Sequence, residues 1–75
     1  MDVNKLVRMA NQIATNFEYA DREQGVAAVC DHLSRFWNSA MKAQLIEYQR
    51  AGQTGLSELA GLAVAKLAEK ESSAA

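Results

Sequence analysis

Between Val26 and Tyr48 the apolar side chains keep helical spacing but change phase once. Val26, Val29, Cys30, Leu33, Phe36 and Trp37 lie on one face of a helix, and Met41, Leu45 and Tyr48 begin a second face. At the change of phase stands Asn38, a good N-cap residue, followed by Ser39. The spacing therefore predicts a helix ending near Trp37, a corner, and a new helix from Ser39. Phe36, Trp37 and Met41 form the predicted structural corner. Its two rings are expected to be largely buried among the first three helices, because an aromatic side chain covers roughly 150–250 Å².

The rest of the chain repeats the helical pattern. Val3, Leu6, Ala10, Ile13, Ala14 and Phe17 form a stripe over about residues 3–18, with Asp2 as cap. After a short link at 19–21, Asp21 and Gln24 have capping-box spacing and open a helix over 22–37. A third helix spans 39–51 and stops at Gly52. Ser57 caps a fourth over 57–70, with residues 71–75 as a frayed tail. There is no Pro, Ala and other strong helix formers dominate, and β-branched residues never alternate. The prediction is an all-α protein, a small four-helix bundle-like domain with short loops, occupying residues 1–70.

Stabilisation has few routes in a chain of 75 residues. Cys30 is the only Cys, so no intrachain disulfide can form. It lies on the apolar stripe and is expected to pack as a small hydrophobe. His32 is the only His, and it points to a different side of the helix from Cys30, so the two cannot share a metal ion. A partner or a second copy remains. On the fourth helix, Leu62 and Val64 widen the stripe of Leu56, Leu59, Ala60, Ala63 and Leu67, which suggests packing on more than one surface. Ile46 lies off the third helix's stripe and is expected to be exposed.

Eight Lys and Arg against nine Asp and Glu give a net charge of −1, which attracts neither nucleic acid nor an anionic membrane in general. No segment has the length and apolarity of a membrane span or a signal peptide, so a cytoplasmic protein is expected. No phosphate-binding Gly loop, Cys-x-x-Cys or His-Glu-x-x-His occurs. Cys30, His32 and the serines make no plausible nucleophile set. No catalytic, cofactor-binding or metal-binding residues are assigned. The outer face of the first helix carries Lys5, Arg8, Asn11, Gln12 and Asn16, with no acid until Glu18. This is either a solvated face or a donor-rich docking surface, and these five residues are the candidate partner-binding set.

Two stretches together carry a family resemblance. One is Lys5-Leu6-Val7-Arg8-Met9-Ala10-Asn11-Gln12-Ile13-Ala14 followed by Phe17, and the other is His32-Leu33 through Arg35-Phe36-Trp37 to Met41. The pairing resembles the delta subunit of soluble, NAD-dependent, molybdenum-containing formate dehydrogenases. The family usually has Asp-Pro after the Trp, where this chain has Asn38-Ser39, so the corner is expected to be less rigid. The resemblance implies a small accessory chain without its own redox centre, associated with a catalytic subunit that carries the molybdenum cofactor. Its implied role is assembly, cofactor maturation or stability of the complex. A permanent subunit and a maturation factor are not separated at this level. The alternative is an independent homodimeric helical adaptor or regulatory module.

Overall fold

The computed structural model describes residues 2–18 and 21–73; the predicted link at Tyr19 and Ala20 and the last two tail residues lie outside them. Four helices follow in order: α1 Val3–Asn16, α2 Arg22–Phe36, α3 Ser39–Arg50 and α4 Glu58–Ser73. The all-α prediction holds, and the helices start where their caps say. The side chains of Asp2, Asp21 and Asn38 accept from the backbone N–H of Asn4, Gln24 and Met41 at 3.0, 2.9 and 2.9 Å. Ser57 Oγ accepts from Ala60 N at 3.3 Å. Each supplies an acceptor for a helix donor that would otherwise have none. Gly52 follows α3 with φ +81°, the left-handed conformation that glycine adopts at least cost. α4 continues to Ser73 rather than fraying from Glu71.

One core joins all four helices. Leu6, Val7, Ala10 and Ala14 enter from α1, and Val29, Cys30 and Leu33 from α2. Trp37 enters from the corner, Leu45 from α3, and Ala60, Ala63, Val64 and Leu67 from α4. α2 and α4 make the most extensive pair and run parallel. Arg22 meets Glu58 at their starts, at 2.8 Å, and Gly25 packs under Leu59. A side chain at Gly25 would crowd both Leu59 and the Phe17 carbonyl, so this glycine permits the close approach of three elements. α3 runs antiparallel to α4. Gln49 Nε2 donates to the Gly61 carbonyl at 2.6 Å, while Lys42, near the other end of α3, reaches Glu71 at 3.7 Å and donates to the Ser34 carbonyl at 3.4 Å.

Two expectations about packing are corrected, and a third is met. Phe36 is 71% exposed, whereas Trp37 is 6% exposed. Trp37 is the C-cap of α2 with ψ 139°, and this extended turn carries its indole into the core, while Phe36 ends the helix on its outer side. The wide apolar arc of α4 does meet more than one surface, since α4 packs on α1, α2 and α3; of the two residues that widen it, Val64 is fully buried and Leu62 is exposed. Ile46 is half-buried against the core rather than exposed.

Candidate functional site

The outward side of α1 is built by helical spacing. Leu6, Ala10 and Ala14 are driven inward, so Lys5, Arg8 and Gln12 come to lie together on the opposite side, all exposed, with Asn16 a turn further on. Between Val3 and Asn16 there is no Asp or Glu. Among the described residues the ion pairs are Arg22–Glu58, Arg35–Asp31 and Lys42–Glu71, and none involves α1.

Asn11 does not share this face. It sits beside buried Val7 at the edge of the core stripe, and its amide is taken up by the segment before α4. Its Nδ2 donates to the Gly55 carbonyl at 2.9 Å, and its Oδ1 accepts from Ser57 N at 2.8 Å. Tyr48 holds the same segment from the other side, its hydroxyl accepting from Gly55 N at 3.0 Å. A Cβ on Gly55 would collide with that hydroxyl. Asn11 therefore orients the loop between α3 and α4.

The predicted corner divides. Trp37 is core and Met41 is half-buried against it. Phe36 stands outside, its ring 4.8 Å from that of His32 one turn earlier. A second exposed apolar side chain, Leu62 at 41%, lies in a shallow groove with Val26 and Ala65, edged by Arg22, Glu23, Lys66 and Glu69. Cys30 is 4% exposed, and burial raises its pKa above the ordinary 9.0 despite the nearby Lys70 and Lys66 ammonium groups. It is held as the neutral thiol, which is a poor nucleophile. Among the described residues no three His, Cys, Asp or Glu side chains converge as metal ligands, and no helix is long and apolar enough to cross a membrane.

Fold and surface together define a small all-α domain with one helix free of acid and with Phe36 and Leu62 exposed. The chain belongs to the family of the NADH-dependent formate dehydrogenase delta subunit FdsD, whose family model matches residues 5–64. That span takes in both stretches that carry the resemblance in the sequence, the Lys5–Ala14 run and the Arg35-Phe36-Trp37 corner. No curated protein and no solved structure matches the chain.

Proposed function

We propose that this chain is a non-catalytic accessory subunit that supports assembly, cofactor maturation or stability of a formate dehydrogenase in the cytoplasm. It docks on the catalytic subunit through the outward face of α1. The observation that carries this reading is that Lys5, Arg8, Gln12 and Asn16 are exposed, share a helix without acid, and have no ion pair or side-chain hydrogen bond among the described residues. Asn11, first grouped with them, is occupied within the fold, which narrows the face to four residues. Arg is among the side chains that most often dominate an interface.

The test is Arg8→Ala. It should fold normally by circular dichroism yet fail to co-purify with the enzyme or restore formate oxidation. Loss of a desolvated charged hydrogen-bonding partner costs about 2–5 kcal/mol of affinity. Arg35→Ala, whose guanidinium already pairs with Asp31 on the same helix, should change little. Wild-type binding by Arg8→Ala together with release by Phe36→Asp would move the docking face to the corner. A second reading, self-association of the isolated chain, is favoured by exposed Leu62 and its groove.

A further inference from the structure

We infer that the surface received by α1 is acidic, bearing at least two carboxylates that meet Lys5 and Arg8; this rests on the docking face proposed above. The chain as a whole is slightly acidic, so a helix with two cations and no carboxylate is a local reversal of its charge. Of the chain's six other cations, Arg22, Arg35 and Lys42 are paired with carboxylates; Arg50, Lys66 and Lys70, unpaired among the described residues, line grooves that also hold carboxylates, Glu47 and Glu71 for the first, Asp31 and Glu69 for the other two. Lys5 and Arg8 have no such pair among the described residues, although both are free to move in solvent.

The position of Lys5 adds to this. It is the third residue of α1, where Glu or Gln would close a capping box and where the helix dipole disfavours a cation. The fold gains nothing from Lys at that point, whereas an acidic partner would. Lys5 and Arg8 are one turn apart on the same side, with Gln12 one turn beyond. The three span about 10 Å along the axis, enough to lie across one acidic helix or strand of the enzyme. Gln12, able to donate and accept, fits a neighbouring backbone or amide group.

The experiment measures binding of this chain to formate dehydrogenase purified without it, at low and high NaCl, with variants checked by circular dichroism. Lys5→Glu/Arg8→Glu reverses both charges, and Arg50→Glu applies a charge reversal away from both α1 and the Leu62 groove. The expected result is an affinity that falls at least about tenfold on raising salt, as pairing between charges at an interface requires. Lys5→Glu/Arg8→Glu should not bind, and Arg50→Glu should bind as wild type. Salt-insensitive binding that Arg8→Ala still abolishes would keep the docking face and overturn its acidic occupant. Salt-sensitive binding untouched by Lys5→Glu/Arg8→Glu would overturn the docking face itself. Self-association of the isolated chain at low salt, abolished by Lys5→Glu/Arg8→Glu, would make a second copy the acidic surface and overturn the assignment to the enzyme.

Discussion

Trp37 brings an indole into a core otherwise made of Leu, Val, Ala and Cys, so its truncation leaves a hole that small neighbours cannot fill. Trp37→Ala should cost about 3–5 kcal/mol. A domain of this length has a total stability of about 4–11 kcal/mol, so that loss removes at least about a quarter of it and, at the lower end, all of it. Phe36→Ala removes a ring already in water and should stay within about 0.5 kcal/mol. Urea unfolding of the two variants checks this pair, and equal losses would sink the division of the corner. Helical spacing could not make that division, because Phe36 follows Leu33 by three positions and Trp37 follows it by four. Which ring turns inward is decided by the extended backbone of the cap at Trp37, a feature that periodicity does not encode.

At the level of elements, what was legible was local. Asp2, Asp21, Asn38 and Ser57 each act on a donor within three residues, so sequence proximity is enough to find them. The link from Asn11 to Gly55 and Ser57 is different, since it joins α1 to a segment 44 and 46 positions away. No short-range pattern distinguishes such an asparagine from a solvated one. Asn11→Ala should leave the Gly55 carbonyl and the half-buried Ser57 N–H without their partner, at a cost of about 1–3 kcal/mol. Asn11→Asp retains the acceptor for Ser57 N and should be milder. Gln12→Ala, one residue along but facing solvent, should cost under about 0.5 kcal/mol. Thermal unfolding of the three variants gives the order, and equal effects of Asn11→Ala and Gln12→Ala would remove Asn11 from the fold's framework.

The whole molecule measures 28 × 27 × 22 Å, so every helix touches the core and every helix also shows one face to solvent. That geometry allows two outward faces of different character. The α1 face has a single sign of charge and repels its own copy. The groove at Leu62 has both signs at its rim and does not. A standard interface takes about 800 Å² from each partner, roughly a sixth of this molecule's 4688 Å². The groove alone offers much less than that, so self-association through it should be weak and concentration-dependent. Sedimentation of the isolated chain should show a monomer that dimerises on concentration, and Leu62→Lys should abolish the dimer. A strict monomer at high concentration excludes this use of the groove. The broad arc of α4 was legible, but not that Val64 would be covered and Leu62 left in a groove beside α2, because the parallel pairing of α2 with α4 is a property of the assembled fold.

The clasp between Asn11 and the Gly55–Ser57 segment also has a consequence in time. α1 is made first, yet its tie to the start of α4 closes only after most of the chain has been synthesised. Closing so long a loop is slow relative to local helix formation. A nascent chain that ends before residue 55 lacks both this tie and the α4 side chains that complete the core, so α1 is not seated and Lys5 and Arg8 are not held against a fixed background. On the docking proposed above, competence to dock then becomes a report on completion: an organised α1 face exists only on chains that have been finished and folded.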